Sequence, residues 1–183
     1  MKASVFIGIS VDGFIARPDG ALDFLPADGG EPHGFNEFYK SVDALVIGRK
    51  TYEVVLAFGG WFYGKKPVFV LSSKPLPPAP PKAIVEHMSG DPADIVKRLE
   101  ARGIRHIYVD GGVTVQSFLR AGLIQRLIIT RVPVLIGQGI PLFGELLRDV
   151  HLRAVTTRQY KSGLVQTEYR VLAAAPRSKR RKD

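Results

Sequence analysis

Short apolar runs alternate with amphipathic stretches along most of this chain. Lys2–Ser10 is apolar and β-branched and reads as a strand. Residues 44–47, 68–71 and 107–109 are compact apolar runs of the kind buried on both faces of a sheet, and 84–87 reads as a short edge strand. Helical spacing falls between them. Phe35–Ser41 places Phe35 and Phe38 on one face, and 50–57 buries Tyr52, Val55 and Leu56. Asp91 as N-cap and Pro92 at the first helical position open a helix whose stripe is Ile95, Val96 and Leu99, up to Gly103. Val113, Val115, Phe118 and Leu119 repeat at helical spacing after Gly111-Gly112. Residues 127–129 and 132–136, interrupted by Pro133, read as strands, and 141–147 as a short helical turn. Residues 152–160 and 164–171 flank Lys161-Ser162-Gly163, and the second arm alternates Val165, Thr167, Tyr169 and Val171 with polar positions, as a half-buried antiparallel hairpin does.

Strands separated by helices imply an α/β fold with a mixed, mainly parallel sheet covered on both faces. The carboxyl ends of its parallel strands then form the ligand crevice. Three segments interrupt the pattern: a long glycine-bearing stretch at 11–34, an aromatic-rich loop at 58–66 around Trp61, and a proline-rich linker at 75–81. A stretch as long as 11–34 implies a lid or binding loop. The expected organisation is one domain over 1–172 and a basic flexible tail over 173–183.

Composition narrows the function classes. The 183 residues are 45% hydrophobic, enough for a core, and contain no cysteine, which removes disulfides, thiolate nucleophiles and cysteine-based metal sites. No apolar run is long enough to span a membrane, and the first residues lack a signal-peptide pattern, so a cytoplasmic location is expected. The four histidines, His33, His87, His106 and His151, lack metal-ligand spacing, and no metal is expected. His106 reads as a packed core or edge residue. Net charge is +9, part of it in the tail Arg177-Ser178-Lys179-Arg180-Arg181-Lys182-Asp183. No aromatic residue interleaves with those charges, so the tail reads as a solvated terminus and no nucleic acid is expected. The remaining positive balance suits a phosphorylated ligand.

Three stretches fall at strand ends, where that ligand would sit. Gly48, Arg49, Lys50 and Thr51 offer a helix start with two cations and a hydroxyl. Leu71, Ser72, Ser73 and Lys74 offer hydroxyls and an ammonium. Asp110, Gly111, Gly112, Val113 and Thr114 offer a second helix start. Two helix N-termini hold a pyrophosphate from both sides, and adjacent Arg and Ser side chains take a further phosphate. Alone, Gly111-Gly112 serves equally well as turn punctuation.

These blocks, in this order, resemble the dihydrofolate reductase superfamily and within it the branch related to the riboflavin-biosynthesis reductase, the RibD C-terminal domain. Ser10-Val11-Asp12-Gly13-Phe14-Ile15-Ala16 is similar to the family's Ser-x-Asp-Gly-x-Ile-Ala, and Gly48-Arg49-Lys50-Thr51-Tyr52 to its Gly-Arg-x-Thr-aromatic helix start. Leu71-Ser72-Ser73 matches a strand-end serine pair, and Asp110-Gly111-Gly112 resembles the Glu-Gly-Gly of riboflavin reductases. The segments from Phe118 to Ile124 and from Pro133 to Phe143 resemble the riboflavin branch too. The resemblance implies a three-layer fold with about eight strands and a C-terminal antiparallel hairpin, NADPH as cofactor, a small-molecule substrate and a homodimer, for which 127–129 and 132–136 offer apolar surface.

It also implies site roles. Arg49, Ser72 and Ser73 hold the adenosine 2′-phosphate, beside Leu71. Gly48, Lys50, Thr51, Gly111, Gly112, Val113, Thr114 and Val115 hold the pyrophosphate. Ile15 and Ala16 lie near the nicotinamide ribose. Asp12, Asp28 and Asp110 are the candidate acids, Asp28 through a Leu-Pro-Ala-Asp tetrapeptide found in some folate reductases. Folate reductases use a non-proline cis bond at the matching glycine pair, so a strained and cis Gly111–Gly112 peptide is expected. The deaminase half of many riboflavin reductases, with its zinc motifs, is not in this sequence. Three readings stand: an NADPH-dependent reductase of a heterocyclic or carbonyl substrate, a non-catalytic nucleotide-binding module, and a nucleic-acid binder using the tail.

Overall fold

Apolar side chains on both faces put the first strand at the middle of the sheet, not at its edge. In the computed structural model, which describes residues 1–26 and 32–173, the elements run in chain order as β1 (Lys2–Ser10), β2 (Phe14–Ala16), α1 (Phe35–Ser41), β3 (Ala44–Gly48), α2 (Arg49–Ala57), β4 (Val68–Leu71), β5 (Val85–Met88), α3 (Pro92–Ala101), β6 (His106–Asp110), α4 (Gly112–Arg120), β7 (Arg126–Val132), β8 (Ile140–Pro141), β9 (Leu152–Gln159) and β10 (Val165–Val171). The eight-stranded sheet has the order β5-β4-β3-β6-β1-β7-β10-β9. The strands from β5 to β7 in that order are parallel, and the β9–β10 hairpin adds the antiparallel edge. This is the mixed α/β architecture expected of the chain.

The two faces are chemically different. On one, Val5, Val46, Val109, Leu127 and Ile129 pack against Ile95 and Leu99 of α3 and Val115, Phe118 and Leu119 of α4. On the other, Phe6, Leu45, Ile47 and Tyr108 pack against Phe38 of α1, Tyr52 and Val55 of α2, and Tyr63. The aromatic face carries edge-on ring pairs, such as Phe38–Tyr108 at 5.1 Å and Trp61–Tyr63 at 5.2 Å, a geometry that adds to area burial. Helix α3 starts as its sequence suggests, with Pro92 in its first turn, but the Asp91 side chain makes no cap bond. The Asp91 carbonyl instead accepts the N–H groups of Asp94 and Ile95, each at 3.0 Å. His106 is a packed residue: Nε2 lies 2.8 Å from Ser4 Oγ and Nδ1 2.8 Å from the Ser41 carbonyl. Burial holds its imidazole below the usual range, so it joins β1, β6 and α1 as a neutral ring.

Two sequence expectations are overturned beyond β7. Residues 132–136 are not a strand, because Pro133 has no N–H to donate and β7 ends at Val132. Residues 141–147 are not a helical turn. Ile140–Pro141 instead pairs with β2 as a small second sheet, Gln116 Nε2 donates to the Pro141 carbonyl at 3.0 Å, and Leu142 is fully buried beneath. Nor do residues 127–129 offer a surface for a second copy, since Leu127, Ile128 and Ile129 are buried within the sheet. Among the described residues no helix is long and apolar enough to cross a membrane.

Candidate functional site

Strands β3 and β6 are direct neighbours, with Ile47 opposite Asp110. The chain leaves both in the same direction and starts a nine-residue helix from each, α2 and α4. Both N-caps are glycine, Gly48 and Gly111, so neither start has a side-chain cap. First-turn N–H groups are left without intrahelical partners, and the two positive dipole ends lie side by side.

The two starts interlock. A Cβ on Gly48 would lie 2.8 Å from Thr114 Oγ1 of the other helix. A Cβ on Gly111 would overlap Thr51 Oγ1 and stand 3.4 Å from Thr51 Cβ. Each third-position threonine therefore packs on the opposite cap glycine. Gly111 has a second requirement, since its φ of 90° and ψ of 139° suit only glycine. No peptide bond among the described residues is cis. The expected cis bond at Gly111–Gly112 is thus replaced by a trans peptide, and the reversal is made at the φ of Gly111.

The small sheet closes one side of the crevice. A Cβ on Gly112 would stand 3.1 Å from Ile15 Cδ1, 3.3 Å from Ile140 Cγ2 and 3.3 Å from the Pro141 carbonyl. Ile15 therefore meets the α4 start, and Ala16 is buried behind it. Val115 is fully buried in the aliphatic core while Val113 is 75% exposed, so both offer the crevice backbone more than side chain. Ile140 and Pro141 are site residues that sequence reasoning missed. A two-residue strand leaves no periodicity to detect.

The cationic side lies toward β4. Arg49 Nε donates to Glu53 Oε1 at 2.6 Å, one turn along α2, and Lys50 is exposed. Ser72 Oγ is spent in its own turn, donating to the Lys74 carbonyl at 2.7 Å and accepting the Lys74 N–H at 2.9 Å. Ser73 is exposed beside it, and Leu71 is half-buried. The His87 ring lies 2.7 Å from the Ser72 carbonyl, which brings a further imidazole to this corner. Position 87 reads as an ordinary edge-strand residue in sequence.

The three candidate acids separate. Asp12 is exposed, and its Oδ2 accepts the N–H groups of Gly137 at 2.7 Å and Ile136 at 3.1 Å. Ser10's hydroxyl and these amides hold its carboxyl below the usual range. It fastens the turn after β1 to the loop after β7. Asp28 lies outside the described residues. Asp110 ends β6 on the aromatic side. Its surface is half-covered, yet sheet and rings enclose it enough that burial raises its carboxyl above the usual range. The Gly111 N–H, 2.8 Å from Oδ1, pulls in the other direction. Tyr108 donates to the Phe6 carbonyl at 2.8 Å, and Tyr39 to the Tyr63 carbonyl at 2.7 Å. Burial, then the Asp110 charge, then Tyr39 push the Tyr63 phenol far up. Among the described residues no cluster of His, Asp and Glu could hold a metal ion.

Known proteins share this fold. The chain is 34% identical over 171 residues to YwjB of Bacillus subtilis, itself uncharacterised, covering 92% of this chain and 97% of that one. A putative riboflavin biosynthesis protein from Shewanella sp. PV-4 superposes with a TM-score of 0.87 at 39% identity, over 94% of this chain and all 100% of that chain. Dihydrofolate reductase of Enterococcus faecalis, solved as a complex with NADP(H) and RAB-propyl, shares the fold at a TM-score of 0.61 and 18% identity, over 93% and 96% of the two chains. The family model of the RibD C-terminal domain matches residues 61–166, which include the β6–α4 junction. By that match and these relatives, the chain belongs to the RibD C-terminal domain family, whose fold is that of the dihydrofolate reductase-like reductases.

Proposed function

We propose that the protein is an NADPH-dependent reductase that passes a hydride to a small heterocyclic or carbonyl substrate, pterin-like or pyrimidine ribosyl phosphate-like. The observation that carries this reading is the interlocked pair of uncapped helix starts at the carboxyl edge of the sheet. A pyrophosphate accepts N–H bonds and prefers two positive dipole ends, and the missing Cβ atoms at 48 and 111 let Thr114 and Thr51 lock the two starts side by side. The site thus fits the cofactor in its donor set.

In this reading Gly48, Lys50 and Thr51 hold one side of the pyrophosphate and Gly111, Gly112, Thr114 and the backbone of Val113 and Val115 the other. Arg49 turns from Glu53 to the 2′-phosphate, with Ser72, Ser73 and the end of Leu71 beside it. Ile15 and Ala16 face the nicotinamide ribose. The cofactor, when bound, supplies the hydride from its nicotinamide ring. Asp110 is the acid best placed to hold a proton for the substrate, because burial favours its neutral form and Asp12 is occupied with backbone amides. Open strand β9 with Leu152 and Val155 exposed supports a homodimer made at that edge, which light scattering checks.

NADPH titration followed by nicotinamide fluorescence, with NADH as control, tests the cofactor. NADPH oxidation over pterins, pyrimidine ribosyl phosphates and quinones tests the chemistry. Binding without oxidation of any of them would favour the silent nucleotide-binding module. Asp110→Asn is expected to keep NADPH affinity while turnover loses its fall with rising pH. The linkage sign is specific. A carboxyl raised by folding adds stability fully only below its unfolded pKa, and that stability is lost as pH rises through the folded pKa. At neutral pH the Asn variant is therefore expected to melt no lower than the parent; a lower melting temperature there would remove Asp110 as a destabilised acid.

A further inference from the structure

Helix α1 covers β1 and β6 on the aromatic side of the sheet, and among the described residues no helix lies over β9 and β10 there, although the His33 carbonyl accepts from Gln166 Nε2 at 3.1 Å. Arg126, Ile128 and Thr130 of β7 stand opposite Arg170, Glu168 and Gln166 of β10. Arg170, Glu168 and Gln166 in turn stand opposite Arg153, Thr156 and Arg158 of β9. Residues two apart along a strand share a face; Arg153 is three positions from Thr156, and the register shift beside Glu168 and Tyr169 keeps it opposite Arg170. Arg126, Glu168, Thr156 and Arg158 line one cavity of about 250 Å³ with Glu37 and Ser41 of α1. The face therefore presents four arginines against one glutamate from the sheet.

Three of the arginines are in one row. Arg126, Arg170 and Arg153 are directly opposed across three adjacent strands, a row about 10 Å wide. Arg126 makes a two-point contact with Glu168 at 2.8 and 2.7 Å, and the charges of Lys2 and Arg170 add to the pull on the same carboxyl. Lys2 of β1 stands near the same row, and its ammonium is lowered first by burial and then by Arg126, with Arg170 adding to the effect against Glu168. Directly opposed like charges weaken a sheet, and one carboxylate, Glu168, offsets three arginines and Lys2 only in part. An anion laid across it would reverse the sign of the effect.

We propose that this face binds the phosphodiester backbone of a nucleic acid, independently of sequence. The charge fits a repeated anion. The row is broad enough for several phosphates, and guanidiniums take phosphate oxygens two at a time. Ile128 is buried and the rest of the sheet face is polar, so it offers no apolar wedge for a lipid surface and no exposed ring for base stacking. This surface is separate from the crevice at the carboxyl ends of the strands, and it does not use the basic tail.

The test is fluorescence anisotropy of a labelled oligothymidylate with the full chain over a salt series. The variant is Arg153→Gln with Arg170→Gln, compared with Lys at both positions. The glutamine variant is expected to bind about tenfold more weakly and to lower the slope of log affinity against log salt by about 1.4, the value for two phosphate contacts on a single strand. The lysine variant should keep most of both. Removal of like-charge repulsion should leave the melting temperature unchanged or higher, so circular dichroism separates lost binding from lost folding. Unchanged affinity in the glutamine variant, or complete loss of binding when residues 177–183 are removed, overturns the proposal. So does a change of mass to a monomer in the glutamine variant, because the face would then be covered by a second copy.

Discussion

The two helix starts at the crevice share a spacing, Gly-x-x-Thr, and differ in almost everything else. Residues 48–51 carry Arg49 and Lys50 and follow an apolar strand end, Ile47. Residues 111–114 carry no charge and follow an acid, Asp110. Gly48 sits at φ −79° and ψ 159°, an extended conformation open to any residue, whereas Gly111 sits at φ 90°. Gly48 is thus needed only for the space that Thr114 occupies, and Gly111 for space and conformation together. One motif written twice supplies charge at one start and shape at the other.

The largest effect expected from breaking this pair is at Gly111. Gly111→Ala combines a positive-φ backbone penalty of about 1–3 kcal/mol with overpacking of about 1–3 kcal/mol against Thr51. Thermal or denaturant unfolding reads the loss, and Thr51→Ala in the same chain should recover only the overpacking part. A full recovery would place Gly111 on the same footing as Gly48.

Arg49→Ala tests the charged start. Loss of a charge-assisted contact is expected to weaken NADPH by about 1.5–3 kcal/mol and NADH far less. An equal loss for both cofactors in a fluorescence titration would remove Arg49 from the 2′-phosphate.

Gly48→Ala should cost about 1–3 kcal/mol of stability by overpacking alone. Here Thr114→Ala should restore nearly all of it, since no conformational penalty remains. The two double-mutant cycles together are the sharpest form of the comparison, because neighbours in contact are where additivity fails. The smallest effect belongs to Val113→Ala. Its side chain faces solvent, so stability and NADPH affinity should stay within about 0.5 kcal/mol. A larger change would mean that the uncharged start works through side chains after all.

Periodic elements were legible in the sequence for a physical reason. Phe35–Ser41 and Val68–Leu71 bury enough apolar surface at the right spacing to identify themselves, and both match the structure residue for residue. Elements held by other elements were not legible. Ile140–Pro141 is a strand only because Phe14–Ala16 lies beside it and Gln116 holds the Pro141 carbonyl. Pro133 cut a run that its apolar neighbours suggested would continue. Within the site, the glycines, Arg49 and both threonines could be named from motif order. The crossing of Thr51 onto Gly111 and Thr114 onto Gly48 could not, because it depends on β3 and β6 being neighbours while lying some sixty residues apart, about the separation of Ile47 from Asp110.

The central position of β1 has a consequence for synthesis on the ribosome. Its partners are far downstream: Lys2 pairs with His106 and Ser4 with Arg126. At about 5–20 residues per second, β1 waits roughly 6–25 s before β7 has been made. Until β6 is made the nascent chain carries an apolar strand open along both edges, and until β7 follows one edge stays open. Contacts this distant in sequence also slow the search for the native pairing once the chain is free. The first nine residues to form a strand are therefore among the last to find their neighbours, and they mark where a chaperone would be most useful to this protein.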